Sequence, residues 1–398
     1  MSSSAREFLH TPGPTHIPER VLNAMHRQCY DLADPAFLGL AASCFEDLKA
    51  VFRTEGQVFL YASNGHGGWE AALSNLFEPG ERVLIPEVGH FSRSWAGQAR
   101  ALGLEPVATA GDWRRAVDPQ AVEEALRQDM LRQDGAGQIK AVLAVQTDTA
   151  TGITSDLPAI RAAIDAAGHP ALLVADVIAS LAAAHFDMDG WGVDVAIGAS
   201  QKALMGPPGL AMLAVNEKAL AVASSKPNRN YYWDWQARLE QEMYRRFCGT
   251  APEQVLFGLR ATLDILAEEG LEAVIARHAR LAGAVQATVE TWTEGGALAF
   301  NALVPAERSI SVTTVLVPEG LDGQAFRDDV RETFSVALGG GLGAMEGRAF
   351  RIGHLGSLNE PMILGCLAAV ETALLRHGIA HGAGGLRAAF ERLAALPD

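Results

Sequence analysis

Apolar and polar residues follow two different spacings over the first half of the chain. Short apolar runs predict β-strands at residues 57–62, 82–87, 105–110, 139–147, 170–177, 193–199 and 210–216. Most of the segments between them carry apolar residues at the three-to-four-residue spacing of helices. Nearly continuous apolar strands separated by helices are typical of parallel sheets that are covered on both faces. We therefore predict an α/β fold with a mostly parallel seven-stranded sheet between helices.

The second half of the chain has a different pattern. Residues 217–250 are polar, aromatic and irregular, and residues 253–293 have the spacing of a long helical stretch. Strands predicted at 308–317 and 348–356 are flanked by helical patterns, which indicates a smaller C-terminal α+β domain. The predicted division is an N-terminal arm at 1–20, a large domain at 21–270 and a small domain at 271–398.

Charged residues follow two neighbouring strands of the predicted sheet. Asp176 is the first charge in the run 170–177, and Lys202 follows the run 193–199. In open parallel sheets, ligands bind at the carboxyl ends of the strands. Taken singly, Lys202 is explained as well by a lysine that reaches solvent, and Asp176 by a carboxylate that accepts loop N–H groups. Together they match what pyridoxal 5'-phosphate requires, a lysine for a Schiff base and an acid beside the pyridine nitrogen.

The segment 61–77 is a candidate phosphate-binding site. It runs from a strand through Asn64, Gly65 and His66 into a helix on which Trp69 is interpreted as a core residue. Glycines at a helix N-terminus expose N–H groups to an anion, and the helix dipole favours negative charge there. Taken alone, the loop is better explained as a tight strand-to-helix turn. It contains no glycine fingerprint of dinucleotide or ATP binding.

Composition and charge narrow the range of partners. The chain has 398 residues and a formal net charge of −15, which argues against nucleic acid or an anionic membrane surface as the partner. The sequence shows no transmembrane run and no signal-peptide core. Its 4 cysteines are far apart, and its histidines lack the spacing of metal ligands. We therefore expect a cytoplasmic protein that binds small molecules, with free thiols and no metal.

Taken together, these residues resemble the class V family of fold-type I pyridoxal-phosphate enzymes. The motifs PGPT, NGHGGWEAAL, TDTATG, LLVADVIAS, GASQKALMGPPG and FRIGHLG occur in the order of that family's pattern. The motif around Lys202, with the acid on the preceding strand, is specific, whereas PGPT or TATG alone is weak. Within the family, the chain most resembles the alanine/serine/aspartate–glyoxylate aminotransferases. The resemblance covers about residues 10–375 and implies the fold-type I architecture.

The resemblance also assigns roles to individual residues. It implies that the cofactor is pyridoxal 5'-phosphate and that it is bound by Asn64, Gly65, His66, Phe91, Thr149, Asp176, Ile178, Gln201, Lys202 and Thr250. Lys202 would form the Schiff base and Asp176 would pair with the pyridine nitrogen. Phe91 would stack on one face of the ring, although core packing is the usual fate of a phenylalanine, and Ile178 would cover the other face.

Other implied roles concern the phosphate, the substrate and a second subunit. Gly65 and His66 would bind the phosphate through backbone N–H groups, with the side chain of Gln201, and Thr149 would lie near the ring hydroxyl. Gly13 and Arg351 would bind the substrate, because a guanidinium can hold a carboxylate through two parallel hydrogen bonds. Thr250 would reach the phosphate in a neighbouring subunit, which implies a homodimer with shared active sites.

The implied function is that of a transaminase with ping-pong kinetics. It would move an amino group from serine, alanine or aspartate to glyoxylate or a similar short 2-oxo acid. One alternative is a pyridoxamine–pyruvate-type or other amine–2-oxo acid aminotransferase. Another is a cysteine desulfurase or lyase of the same class, for which Cys366 is the one cysteine in the C-terminal third. A homologue without catalytic activity is disfavoured because Lys202, Asp176 and Arg351 are all present.

Overall fold

The computed structural model describes residues 6–132, 137–226, 230–240 and 242–395. The strands are β1 Phe8–His10, β2 Gln57–Ala62, β3 Arg82–Leu84, β4 Glu105–Val107, β5 Ile139–Val145, β6 Thr147–Asp148, β7 Ile153–Thr154, β8 Leu172–Asp176, β9 Val195–Ala199, β10 Leu210–Val215, β11 Ala299–Phe300, β12 Val312–Leu316, β13 Val336–Gly340 and β14 Ala349–Gly353. The α-helices are α1 Glu19–Met25, α2 Pro35–Phe52, α3 Gly65–Leu76, α4 His90–Ala101, α5 Pro119–Met130, α6 Leu157–Ala166, α7 Glu217–Ser224, α8 Trp235–Arg238, α9 Met243–Arg246, α10 Glu253–Glu269, α11 Leu271–Thr293, α12 Gly323–Phe334, α13 Glu360–Arg376 and α14 Gly385–Ala394.

The larger sheet confirms the predicted architecture. Its seven strands lie in the order β2-β10-β9-β8-β5-β3-β4, and each corresponds to one of the predicted apolar runs. Neighbouring strands are parallel except for β10, which is antiparallel to both β2 and β9. The sheet is therefore mostly parallel.

Helices cover both faces of this sheet. Successive residues of a strand point to opposite faces, so Val58 and Leu60 of β2 pack into one apolar cluster, whereas Phe59 and Tyr61 pack into the other. The first cluster includes side chains of α2, α5, α6 and α10, and the second includes side chains of α3, α4 and α7. The central strands β8, β9 and β10 are buried along their whole length and almost entirely apolar, because neither face of the sheet is in contact with water there.

A second sheet forms the core of the smaller unit. Its order is β1-β13-β14-β12-β11, and its apolar cluster includes side chains of α11, α12, α13 and α14. The predicted strands at 308–317 and 348–356 correspond to β12 and β14. Glycines disfavour strands, and the glycine-rich stretch 339–343 gives no strand signal. Gly339 and Gly340 nevertheless end β13, because the backbone of β13 pairs with β14.

The N-terminal arm contributes to this second sheet, since β1 pairs in parallel with β13. Gly270 separates α10 from α11 at the predicted boundary between the two domains. The division at 1–20, 21–270 and 271–398 stays a prediction. Within the described part of the chain, no helix is both long enough and apolar enough to cross a lipid bilayer.

A buried ion pair fixes one side of the larger sheet. The Asp129 carboxylate in α5 bonds to the guanidinium of Arg82 in β3, and it accepts the backbone N–H of Ile139 in β5 at 2.7 Å. His169 Nε2 lies 3.3 Å from the same carboxylate. Burial alone would raise the pKa of Asp129, but these hydrogen bonds lower it overall. The carboxylate therefore joins a helix to two strands.

We predict that Asp129→Ala destabilises the fold by about 3–5 kcal/mol, because it leaves a buried guanidinium and a strand N–H without their partner. The measurement is chemical denaturation at neutral pH. Since folding lowers the pKa of Asp129, its contribution should persist at neutral pH and fade as the pH falls below about 4. The control is Asp165→Ala, because the Asp165 side chain is 66% exposed in an ion pair with Arg161. An equal loss in both variants would contradict the role of Asp129.

Candidate active site

Lys202 lies at the carboxyl end of the larger sheet, in the loop between β9 and β10. Its Nζ donates a hydrogen bond to the backbone oxygen of Pro12 in the N-terminal arm. Burial lowers the pKa of Lys202 to about 8, and the positive charge of Arg351 acts in the same direction, whereas Asp176 opposes both. An amine with a lowered pKa is unprotonated more often at neutral pH, so it is a better nucleophile.

Asp176 ends the neighbouring strand β8, which pairs in parallel with β9. Its carboxylate is almost fully buried and accepts the N–H of Ile178 at 2.8 Å and the indole Nε1–H of Trp69 at 3.0 Å. The pKa of Asp176 is raised to about 7, mainly by burial and in part by the nearby Asp148, whereas both hydrogen bonds and Lys202 act to lower it. The site therefore holds an acid and an amine that are both removed from water.

The N-terminus of α3 forms one wall of the same cavity. Gly65 packs against Ile178, because a Cβ there would lie 2.4 Å from Cδ1 of Ile178 and would force that side chain to move. Asn64 caps the helix, since its Oδ1 accepts the N–H groups of His66 at 3.1 Å and of Gly67 at 3.4 Å. An anion at this helix end would have to share the His66 N–H with Asn64, which sequence reasoning did not foresee.

Other predicted residues line the cavity with these groups. The lining residues are Asn64, Gly65, His66, Trp69, Phe91, Thr147, Thr149, Asp176, Ile178, Ala179, Gln201 and Lys202. The set includes every residue predicted to bind the cofactor except Thr250. The Gln201 side-chain oxygen is buried and has no hydrogen-bond partner among the described residues. A buried polar atom of this kind calls for a ligand, because an unpaired polar group costs free energy in the interior.

Arg351, in the second sheet, is not itself a lining residue of the cavity, but it bonds to one of them. It lies in β14 opposite Gly339, and its Nε donates to the backbone oxygen of Gly340 at 2.6 Å. Its Nη1 donates to the backbone oxygen of Thr149, in the turn after β6, at 2.8 Å. Burial lowers the pKa of Arg351 to about 10, which still leaves it cationic at neutral pH, and Asp148 acts in the opposite direction. The two backbone oxygens thus hold a cation beside Lys202.

Gly13 packs directly against the lysine. A Cβ at this position would lie 2.5 Å from Lys202 Nζ, and the φ of Gly13 is +119°, which is a backbone conformation that favours glycine. Gly339 is similarly confined, because a Cβ there would lie 2.8 Å from Pro12 and 3.1 Å from Cβ of Arg351. Glycine backbone therefore packs against both side chains, Gly13 against Lys202 and Gly339 against Arg351.

Thr250 does not join these residues. It is exposed in the turn between α9 and α10 and is absent from the cavity lining. Its predicted contact with a neighbouring subunit stays a prediction.

Sequence reasoning missed two contributors to the site. Trp69 is buried in the core, as interpreted, but its indole also contacts Asp176 and lines the cavity. Asp148 is fully buried and accepts the backbone N–H of Phe91 at 2.7 Å, so it fixes the start of α4. An acidic residue at the end of an apolar strand was a readable signal for Asp148. A tryptophan on an amphipathic helix carries no such signal.

The fold and site define an α/β protein whose larger sheet carries a lysine and a buried acid in one cavity at the carboxyl ends of its strands. A model of the family described as "Aminotransferase class-V" matches residues 7–342. The chain is 42% identical over 380 residues to the serine–glyoxylate aminotransferase of Methylorubrum extorquens, which covers 94% of this chain and 92% of that protein. The chain belongs to the class V aminotransferase family and is an aminotransferase.

Two further relatives agree with this assignment. The chain is 37% identical over 369 residues to the L-aspartate–glyoxylate aminotransferase of Paracoccus denitrificans, which covers 92% of this chain and 91% of that protein. The crystal structure of the ureidoglycine–glyoxylate aminotransferase of Bacillus subtilis superposes with a TM-score of 0.89 and 28% identity, covering 99% of both chains. The fold-type I architecture predicted from the motifs is therefore confirmed.

We predict that Gly13→Ala lowers aminotransferase kcat/KM by roughly 100-fold, because the added methyl group displaces the lysine side chain by about an ångström. The fold should survive, so the melting temperature and circular dichroism are measured beside activity. The control is Gly39→Ala, since a Cβ at Gly39 in helix α2 meets nothing within 4 Å. Full activity in Gly13→Ala would show that the lysine tolerates displacement.

Proposed function

We propose that this enzyme is a pyridoxal 5'-phosphate-dependent transaminase. It would move an amino group from serine, alanine or aspartate to glyoxylate or a similar short 2-oxo acid by a ping-pong mechanism. The observation that carries the proposal is that Lys202 and Asp176 line one cavity, with the charge of Arg351 close enough to act on Lys202. The names of two relatives, a serine–glyoxylate and an aspartate–glyoxylate aminotransferase, support the substrate class.

The cavity fits the proposed cofactor. The dipole of α3 favours an anion at Gly65. The unpaired side-chain oxygen of Gln201, buried in the same cavity, would accept a hydrogen bond from a donor group of a ligand. Phe91 and Ile178 offer apolar surface for a flat ring, and Asp176 offers a buried carboxylate for a ring nitrogen. The residues present therefore supply an anion-binding helix N-terminus, an apolar surface for the ring and an acid.

Pyridoxal 5'-phosphate, when bound, supplies a carbonyl that condenses with amines and a ring that accepts electrons. Lys202 would bind the group covalently in the resting enzyme and, once displaced, would move a proton from and to the substrate α-carbon. Asp176 would hold the proton of the ring nitrogen. A positive charge there favours the ionised carboxylate, which offsets the cost of its burial.

Arg351 would bind the substrate carboxylate and orient the α-carbon towards Lys202. Its guanidinium is fixed by the backbone oxygens of Thr149 and Gly340, so little side-chain entropy is lost when a substrate binds. Because Gly13 and Gly339 have no side chains, their backbone packs closely against Lys202 and Arg351. This close packing favours substrates with short side chains, and glyoxylate has no side chain.

The desulfurase alternative finds no support in the geometry. A desulfurase requires an accessible thiolate near the cofactor, but Cys366 is fully buried in α13. Burial also raises the pKa of its thiol, which disfavours the thiolate. Cys366 packs in the apolar cluster of the second sheet. The pyridoxamine–pyruvate-type alternative would use the same cavity. The amine that the enzyme accepts therefore distinguishes that alternative from the proposed function.

We further propose a homodimer in which Thr250 contacts the neighbouring subunit's cofactor phosphate. Thr250 is exposed, and Tyr231 and Tyr244 in the adjoining segment expose 61% and 54% of their surface. Exposed aromatic residues are common at protein interfaces. Sedimentation at micromolar concentration should give twice the monomer mass of 42.2 kDa, and a monomer that retains full activity would refute the shared site.

We predict that one amino donor converts the bound cofactor to its pyridoxamine form and that glyoxylate restores it. Serine, alanine, aspartate and pyridoxamine are added separately to the purified enzyme, and the visible absorbance is followed. Lys202→Ala is the control and should not sustain turnover. Conversion by pyridoxamine alone would favour the pyridoxamine–pyruvate alternative. A cofactor band that no amine changes would contradict the proposed transaminase.

We predict that Arg351→Lys lowers kcat/KM by roughly 100-fold, because an ammonium cannot make two parallel hydrogen bonds to a carboxylate. The loss should appear mainly in KM. Steady-state kinetics with the best donor measures it, and thermal unfolding shows how far the lost bonds to Thr149 and Gly340 weaken the fold. The control is Arg348→Lys, since Arg348 is exposed just before β14. An unchanged KM would remove Arg351 from substrate binding.

A further inference from the structure

Both oxygens of the Asp176 carboxylate accept a hydrogen bond from a fixed donor. Oδ1 accepts the backbone N–H of Ile178 at 2.8 Å, which is a local contact two residues along the chain. Oδ2 accepts the Nε1–H of Trp69 at 3.0 Å, from a helix 107 residues earlier. Two donors on different elements determine both the position and the rotation of the carboxylate. One of the two is a side chain that substitution can test.

The indole of Trp69 is itself held in place by aromatic neighbours. It is 1% exposed and stacks on Trp95, with ring centroids 5.3 Å apart and an interplanar angle of 15°. The His66 ring lies 4.4 Å away, and Phe91 makes an edge contact at 6.5 Å. Because packed rings cannot reorient, the direction of the Nε1–H bond is fixed as well.

An indole N–H has a particular effect on a carboxylate. It donates and never accepts, so it stabilises the ionised carboxylate. The charged groups that face Asp176 are Asp148, which opposes its ionisation, and Lys202, which favours it. Burial acts with Asp148. The hydrogen bonds from Trp69 and Ile178 therefore help to keep Asp176 ionised although it is buried.

We propose that Trp69 is a positioning residue for the reaction, whose indole N–H orients the Asp176 carboxylate towards the cavity and keeps it ionised. This inference rests on the proposed function, because it makes Trp69 act on the cofactor's ring nitrogen through Asp176. Trp69 itself needs no contact with the reacting atoms.

The chain offers a matched control in Trp95. The two tryptophans are buried and stacked, but the Nε1–H of Trp95 has no hydrogen-bond partner among the described residues. Trp69→Phe and Trp95→Phe thus remove the same atoms from the same cluster, and only Trp69→Phe breaks a hydrogen bond to Asp176.

In full-length holoenzyme, Trp69→Phe should weaken pyridoxal 5'-phosphate binding about tenfold. It should also move the acidic limb of the kcat/KM profile up by about one pH unit.

A measurement on cofactor-free protein separates this inference from the proposed function. Because burial raises the folded-state pKa of Asp176, the free energy of unfolding falls as the pH rises from the unfolded-state pKa to the folded-state value. Trp69→Phe raises the folded-state pKa further. Its free energy of unfolding should therefore fall further between about pH 5 and pH 8 than that of Trp95→Phe. This comparison requires no cofactor, so it tests the hydrogen bond even if the wild-type chain fails to bind pyridoxal 5'-phosphate.

A second variant tests the N–H directly. Trp69→His keeps a five-membered ring whose Nε2 occupies the position of the indole Nε1, and it should recover part of the cofactor affinity that Trp69→Phe loses. Equal pH dependence and equal affinity in Trp69→Phe and Trp95→Phe would overturn the inference and leave Trp69 a packing residue. The inference would also be overturned if Trp69→His bound the cofactor no better than Trp69→Phe.

Discussion

The burial of one carboxylate, Asp176, is the constraint on which the rest of the site depends. A carboxylate away from water is costly unless donors and a positive charge compensate for the lost hydration. The chain supplies an N–H from Ile178, an N–H from Trp69 and the amine of Lys202 in the loop that follows the adjacent strand. Burial raises the pKa of Asp176 and lowers the pKa of Lys202. One buried cavity therefore shifts the pKa values of the acid and the amine towards each other.

Glycine backbone connects this cavity to the second sheet. Gly13 contacts Lys202, and a Cβ there would overlap the lysine side chain. Gly339 packs against Pro12 and Arg351, and a Cβ there would overlap Pro12. The arginine also donates to the backbone of Thr149, which lines the cavity. A substrate carboxylate would thus be held by a residue of one sheet while its reacting carbon faces a residue of the other. Any relative movement of the two sheets would alter the alignment of the substrate with the lysine.

Much of the fold could be predicted because each buried strand of the larger sheet is a continuous apolar run. All seven of its strands were found in this way. The second sheet was harder to predict, since β1 and β11 are very short and β13 ends in glycines. Pairing with a neighbouring strand stabilises such segments, and pairing is not visible in local spacing. The predicted fold class was correct, although only β12 and β14 of the second sheet were foreseen.

The sequence by itself determined the chemical groups at the strand ends, because an isolated charge after an apolar run stands out wherever it occurs. Lys202 and Asp176 were found by that signal, and the motifs around them indicated the family. Tertiary structure alone decided the partners of these groups. Trp69 meets Asp176 across 107 residues of chain, and Arg351 meets the backbone of Thr149 across 202 residues. Such contacts depend on how helices and sheets that are distant in the sequence pack against each other. The spacing of apolar residues along the chain does not show that packing.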